Sequence, residues 1–352
     1  MGSGGQIGTV AHAPRVDWVD VAKGLCIILV VMFHTVNHYA EATGSAGWMQ
    51  AIVDSSKPFR MPDFFLISGL FLYRTINAPL GQFIDRKVIH FAYFYLLWLA
   101  ITLVLTDHDV LRADPAAWGW LYLSNIIQPV GVLWFAHMLA VFYVATRLLR
   151  HAPQWAVLAG AAALQIAHQG GWVDTPSYIA NRFMEYFVFF FAGYALYRLV
   201  FDFAEGVRGN RLASLGALGA WFVANLLLTS GGLAHLPVLG LVTGAVGALA
   251  VAAMASLLTD TRLAAPLRYC GKHSIVIYLT FFFPMTVLVR GLAPTGLIPD
   301  AGLACAAIIA VSVLFPLALH RAIKRTPLIA LYERPDLFRL KPGITRLAER
   351  AA

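Results

Sequence analysis

Two ionisable side chains lie within the first long apolar segment of the chain, where a charge is costly. Lys23 and His34 are 11 positions apart, and at about 100° per residue this spacing places both on one face of an α-helix. Asn37 and His38 extend the same face. A neutral imidazole is well suited to take a proton from an attacking hydroxyl group. We therefore predict that Lys23 and His34 are catalytic, with His34 as general base, and that Asn37 and His38 contact the substrate.

Two other interpretations of His34 remain open at this point. An ionisable residue in a membrane span marks a functional site by default, but His34 can also be a core residue that hydrogen-bonds a neighbouring helix. With His38 one turn away, it can also be part of a metal site. No acid or cysteine pattern of metal ligands accompanies this pair. We therefore predict no metal.

The second apolar segment carries a carboxylate near its predicted start. Pro62 suits a first helical position, and Asp63 in the first turn complements the helix dipole. If the first two helices pack antiparallel with residue 38 opposite residue 60, Asp63 lies level with His34. It can then hold the imidazole in one tautomer, as a dyad partner does. A helix-capping role for Asp63, or its neutralisation by Arg60, is the alternative.

The composition shows what kind of element must hold these residues. The chain has 352 residues, of which 59% are hydrophobic and 12% charged, against about 25% charged in an average soluble domain. Apolar stretches of spanning length recur along it. We predict an all-α, polytopic membrane protein of about ten transmembrane helices. The predicted spans lie near residues 19–38, 60–76, 88–106, 130–149, 154–169, 181–200, 212–230, 237–258, 273–291 and 301–320.

The basic residues predict the orientation of these helices. With the N-terminus inside, 21 of the 26 Lys and Arg residues fall on the inner side and the other 5 on the outer side, as the positive-inside rule requires. We therefore predict that both termini are cytoplasmic, and that the net charge of +8 reflects topology, with no nucleic-acid partner. The predicted divisions are a leader and cytoplasmic N-terminal segment (1–16), a transmembrane domain (17–322) and a basic tail on the anionic leaflet (323–352).

Motifs from residue 17 to about residue 320 resemble the integral-membrane acyltransferases known as acyltransferase family three, which include bacterial sugar and polysaccharide O-acetylases. Their order along the chain makes the resemblance more specific than any one motif. Three features depart from the family pattern. Asp63 stands at a position that is more often apolar, and Phe281 where many members carry a second histidine. The basic cluster that is often Arg-x-x-Arg in the family is here Arg86, Lys87 and His90. The matching residues are Asp20, Lys23, Gly24, His34, Met61, Pro62, Phe64, Phe65, Ser68, Gly69, Leu133, Trp134, Phe135, Phe189, Phe190, Gly193, Gly271, Ser274 and Tyr278.

This resemblance implies acyl transfer from cytosolic acyl-coenzyme A, with acetyl-coenzyme A as the expected donor. The implied acceptor is a hydroxyl of an envelope glycan or lipid-linked sugar at a bacterial inner membrane, and membrane lipids are the other partner. Coenzyme A carries phosphates, so we expect Arg74, Arg86 and Lys87 to bind it at the cytoplasmic rim. Positive-inside anchoring is the alternative for these three residues. The predicted substrate-binding residues are Asn37, His38, Ser68, Trp134, Glu185, Ser274 and Tyr278.

A transporter or flippase is the main alternative from another functional class. In it, Lys23, His34 and Asp63 would form a proton relay along an alternating-access path. The chain has no internal repeat at a fixed period, which disfavours this alternative. A non-catalytic scaffold or sensor would have no need of deep charged residues.

Overall fold

The regular structure of the protein is helical. The computed structural model describes residues 16–129 and 131–340, so that residues 1–15 of the predicted leader and residues 341–352 of the predicted tail lie outside the described ranges. Within them no strand is present. The helices are α1 (Asp17–Thr43), α2 (Met49–Leu70), α3 (Leu80–Ile84), α4 (His90–Thr106), α5 (His108–Ala113), α6 (Pro115–Ile127), α7 (Trp134–Leu148), α8 (Gln154–Gln169), α9 (Tyr178–Ala195), α10 (Tyr197–Gly209), α11 (Arg211–Ser230), α12 (Pro237–Leu258), α13 (Ala264–Lys272), α14 (Ser274–Thr280), α15 (Phe282–Leu292) and α16 (Ala301–Ile323).

Several of these helices can cross a membrane. By length and composition, the described residues contain six such helices, or up to eight if two bent pairs each form one span. The pairs are α9 with α10, bent by 76°, and α14 with the segment Phe282–Thr295, bent by 47°. The all-α, polytopic fold class is thus confirmed. The count of ten stays a prediction, because α2 carries four charged residues and α8 has only 16 residues. The cytoplasmic position of the termini also stays a prediction.

Helix α1 lies at the centre of the bundle, and a glycine pair lets α13 approach it closely. A Cβ atom on Gly24 would collide with the backbone carbonyl of Leu267, and one on Gly271 would collide with that of Asp20. Small residues at helix crossings are typical of membrane bundles, where packing replaces the hydrophobic effect as the driving force. Gly24 and Gly271 therefore fix α1, with its polar face, against α13.

A second glycine pair joins α2 to α9 in the same manner. A Cβ atom on Gly69 would collide with the carbonyl of Phe190, and one on Gly193 with that of Leu66. Beside this crossing, Phe65 is fully buried and its ring lies 4.8 Å from that of Phe135 on α7. The packing of α2, α7 and α9 thus forms the second wall of the bundle, opposite α1.

The described part of the C-terminal segment packs on the protein. Tyr93 donates a hydrogen bond to the carbonyl of Ala330 at 2.9 Å, and the indole of Trp98 donates one to that of Leu331 at 2.9 Å. The hydroxyl groups of Tyr332 and Thr280 lie 2.6 Å apart. These contacts tie the described part of the segment to α4 and α14 through partners that its own sequence does not reveal, and its position on the anionic leaflet stays a prediction.

Candidate active site

A cavity of about 370 Å³ lies between α1, α2, α4, α7, α9 and α14. Most of its wall is apolar or aromatic, with few polar groups, which is the usual composition of a small-molecule site. Its charged or basic lining residues come from three different helices. They are Lys23 and His34 on α1, Arg60 on α2 and Arg182 on α9.

The polar face of α1 forms one wall of this cavity. Lys23, Ile27 and His34 all line it, as the helical spacing predicts. At 1.5 Å per residue, Lys23 and His34 are about 16 Å apart along the helix axis. The cavity therefore extends along about half the thickness of a bilayer core, with an ammonium group near one end and an imidazole near the other.

The imidazole of His34 is held by aromatic contacts. Its ring lies 5.1 Å from that of Phe33 and 5.5 Å from that of Phe281, between ring centres. Within the described ranges, no side chain donates a hydrogen bond to His34 or accepts one from it. Phe281, which replaces the second histidine of the family pattern, thus packs against the predicted base, and both ring nitrogens remain available to a substrate.

Asp63 does not lie where the sequence predicts. Its side chain is 1% exposed and accepts a hydrogen bond from the thiol of Cys26, which lies two helical turns, or about 12 Å, from His34 along α1. The predicted dyad with His34 and the predicted cap at a helix start are both wrong. The reason is that α2 begins at Met49 instead of near residue 60, so Asp63 lies in the middle of a longer helix.

Arg60 lies on the cavity wall, and the sequence interpretation treated it only as a counter-charge for Asp63. Its guanidinium stacks 3.7 Å from the ring centre of Phe33, the neighbour of His34. The residue is 8% exposed, and its Nη1 atom has no hydrogen-bond partner among the described residues. A charged residue inside a predicted span is the signal that could have found it. The late predicted start of α2 placed Arg60 at the membrane surface instead.

The predicted substrate-binding residues divide into two groups. Ser68, Trp134, Ser274 and Tyr278 line the cavity. The hydroxyl of Tyr278 donates a hydrogen bond to the carbonyl of Val132 at 2.6 Å and accepts one from the amide of Ala136 at 3.3 Å. Tyr278 therefore holds the start of α7, and with it the ring of Trp134.

The other three predicted substrate residues lie away from the lining. Asn37 and His38 lie beyond His34 on α1, and His38 is 3.3 Å from the carboxylate of Glu41. Glu185 accepts a hydrogen bond from Arg182 at 2.5 Å, so it balances the charge of a cavity residue. No group of three or more His, Cys, Asp or Glu side chains within residues 16–129 and 131–340 could hold a metal ion.

The predicted coenzyme A residues lie on two separate elements. Arg86 and Lys87 belong to a π-helical turn, Asp85–Ile89, directly before α4. The ammonium of Lys87 lies 4.5 Å from the ring centre of Tyr143 and close enough to Lys23 for the two charges to interact. Arg74 is exposed and stacks on its neighbours instead. The structure thus groups Arg86 and Lys87 with the Lys23 end of the cavity and leaves Arg74 apart.

Comparisons with known proteins agree with the motif pattern. A family profile described as acyltransferase domain matches residues 16–319. The chain is 27% identical over 155 residues to the inner membrane protein YcfT of Escherichia coli (strain K12), a match that covers 37% of this chain and 43% of the length of YcfT. The search of solved structures gave no match. Because the family profile spans most of the chain and the helices are of membrane-spanning type, this multi-pass membrane protein belongs to acyltransferase family 3.

Proposed function

We propose that this protein transfers an acyl group from cytosolic acyl-coenzyme A to a hydroxyl of an envelope glycan or lipid-linked sugar, with acetyl-coenzyme A as the simplest donor. Membership of an acyltransferase family supports acyl transfer as the reaction. The observation that supports the finer proposal is that Lys23 and His34 line one and the same cavity, about 16 Å apart along α1. In this proposal, the donor enters the cavity from one side and the acceptor from the other, so that the two meet within the bilayer.

His34 is the general base in this proposal. It takes the proton of the acceptor hydroxyl as the oxygen attacks the thioester carbonyl, and the tetrahedral intermediate then expels the coenzyme A thiolate. The same imidazole returns the proton to the leaving sulfur, so that an ester and free coenzyme A are the products. Since both ring nitrogens are free of protein partners, the substrates themselves orient the ring.

The Lys23 end of the cavity receives the donor. Lys23, Lys87 and Arg86 form a cluster of positive charge there, and Nε and Nη2 of Arg86 are buried without a hydrogen-bond partner among the described residues. Guanidinium and ammonium groups of this kind bind phosphates. The nucleotide would thus remain at the cytoplasmic rim while the pantetheine arm runs about 16 Å along α1 toward His34.

The proposed location in a bacterial inner membrane is supported by the name of one relative. YcfT is named an inner membrane protein, and a bacterial inner membrane offers acyl-coenzyme A on one face and envelope glycans on the other. Membrane lipids surround the bundle, and we propose no metal and no nucleic-acid partner. The apolar wall of the cavity, including Trp134 and Phe135, suits a pantetheine arm and the face of a sugar ring.

Acyl transfer by variants of the purified protein tests this proposal. Detergent-solubilised protein is incubated with radiolabelled acetyl-coenzyme A and an envelope glycan fraction. We expect His34→Ala to lower turnover at least 100-fold, the usual contribution of a general base being about 10²–10⁴. Lys23→Ala should raise the KM for the donor about tenfold, which corresponds to one lost charge contact.

His108→Ala provides the control, because His108 is an exposed residue of α5 that does not line the cavity. It should retain full activity. Acyl transfer that is unchanged in His34→Ala would refute the assigned base. Proton-coupled uptake into liposomes without any acyl transfer would instead favour the transporter alternative.

A further inference from the structure

The His34 end of the cavity carries one positive charge that no acidic group of the described residues balances. Arg60 lines the cavity, is 8% exposed and has an unpartnered Nη1 atom. Arg182, the other cation there, already forms an ion pair with Glu185 at 2.5 Å. A buried charge without a counter-charge is costly in a protein interior. An uncompensated guanidinium at this depth is therefore a site for a ligand of opposite charge.

The acidic residues nearest to Arg60 on its own helix are engaged elsewhere. Asp54 forms an ion pair with Lys57 at 2.7 Å, and Asp63 accepts a hydrogen bond from Cys26. On α9, Glu185 is held by Arg182. The guanidinium of Arg60 contacts the face of Phe33 instead, which holds it in position while its edge remains free to donate hydrogen bonds.

We propose that Arg60 binds a carboxylate of the substrate in this cavity, next to the His34 base. One unpaired guanidinium balances a single negative charge and offers two parallel N–H donors, which match a carboxylate group. A phosphate carries up to two negative charges and would need a second free cation, but Arg182 is already paired. The proposal rests on the acyl transfer proposed above and specifies the substrate class of the same site.

The carboxylate has two possible carriers, because donor and acceptor both meet His34. It belongs either to the acyl chain, as in a dicarboxylic acyl thioester, or to an acidic sugar of the acceptor. Two matched pairs of substrates distinguish them. Succinyl-coenzyme A is compared with butyryl-coenzyme A on a neutral glycan, and a uronic-acid oligosaccharide is compared with its carboxyl-reduced form with acetyl-coenzyme A as donor.

The test compares wild type, Arg60→Met, Arg60→Lys and the control Arg290→Gln, an exposed arginine of α15. In one of the two pairs, the wild type should prefer the charged substrate, and Arg60→Met should lower the ratio of kcat/KM values, charged over neutral, about 10- to 100-fold. Arg60→Lys should keep part of this preference, and Arg290→Gln all of it. The affected pair identifies the carrier. An unchanged ratio in both pairs would overturn the proposal.

A binding measurement separates this proposal from the reaction itself. Thermal unfolding of each variant in detergent is followed with succinate and glucuronate, with butyramide and glucose as uncharged counterparts. At least one acid should stabilise the wild type more than its counterpart does, and this difference should vanish in Arg60→Met. If the acid stabilises the wild type but not Arg60→Met, and yet no protein transfers acyl groups, the anion site is supported and the proposed function fails. If transfer occurs but neither acid binds through Arg60, the anion site fails alone.

Arg60→Met is expected to fold, because replacing a buried, unpaired charge with an apolar side chain of similar length removes a desolvation cost. Its melting temperature without ligand should equal or exceed that of the wild type. A lower melting temperature would mean that Arg60 has a structural partner, which would also overturn the proposal.

Discussion

The carboxyl group of Asp63 shows how strongly the register of two helices determines what a side chain can do. In the register predicted from sequence, Asp63 would orient the imidazole of His34. In the structure it lies among buried residues beside Cys26, and Cys26 is about two helical turns from His34 along α1. Residue type alone therefore left the partner of this acid undetermined.

An amide at this position tests the difference. Asp63→Asn has nearly the same shape and keeps an acceptor for the thiol of Cys26, so we expect turnover within about threefold of the wild type, less than ~1 kcal/mol in the barrier. A true dyad partner of His34 would lose far more. The measurement is the initial rate of acyl transfer, with the melting temperature confirming that the variant is folded. A loss of 100-fold in a folded variant would restore Asp63 to the mechanism.

At the scale of elements, the C-terminal segment is hydrogen-bonded to a π-helical turn that carries two of the proposed coenzyme A residues. The turn Asp85–Ile89 carries Arg86 and Lys87, and π-helical turns are frequent at functional sites. Arg334 of the C-terminal segment donates hydrogen bonds to the backbone carbonyl of Asp85 at 2.8 Å and to its carboxylate at 2.9 Å. The amide of Leu340 donates a third, at 2.9 Å. The C-terminal segment thus braces the turn that presents the proposed coenzyme A residues.

Removal of this brace should affect donor binding more than chemistry. Arg334→Gln removes the charge of the buried ion pair with Asp85, and breaking a buried ion pair by removing one partner typically lowers the free energy of unfolding by about 3–5 kcal/mol. We expect the KM for acyl-coenzyme A to rise severalfold, while kcat at saturating donor changes less. Steady-state kinetics and thermal unfolding check both effects.

The double variant Asp85→Leu/Arg334→Met serves as the control, because it removes both charges together and should recover much of the stability. If donor KM rises in the double variant as well, the charge pair itself positions Arg86 and Lys87. An unchanged KM in Arg334→Gln would show that the turn needs no brace.

At the scale of the whole molecule, two helix crossings set the distance between the walls of the cavity. Gly24 with Gly271 joins α1 to α13, and Gly69 with Gly193 joins α2 to α9. All four glycines belong to the motifs that resemble the family. Their physical role is close backbone approach, and the cavity lies between the two pairs of helices that they hold together.

A methyl group at either crossing should therefore destabilise the bundle. We expect Gly24→Ala and Gly193→Ala each to lower the free energy of unfolding by about 1–3 kcal/mol through overpacking, seen as a lower melting temperature in detergent. Gly216→Ala on α11 is the matched control, since a Cβ atom there meets open space, and it should be neutral or slightly stabilising. Equal melting temperatures for all three variants would contradict this account of the crossings.

The sequence by itself determined the solvent, the fold class and one face of the site. Its apolar composition required a bilayer, and the positions of Lys23 and His34 on one helical face follow from a fixed rotation per residue. Such local geometry needs no knowledge of neighbouring helices. The family resemblance followed in the same way, from motifs ordered along the chain.

Only the tertiary structure decided which side chains share the cavity. Arg60 belongs to it and Asp63 does not, because the start of α2 at Met49 shifts that helix along α1 by more than a turn. Likewise, the C-terminal segment packs against α4 through side chains far away in sequence. Contacts of this kind depend on where each helix begins and ends and on which backbones can approach each other closely. The periodicity of the sequence determines neither the helix ends nor the helix crossings.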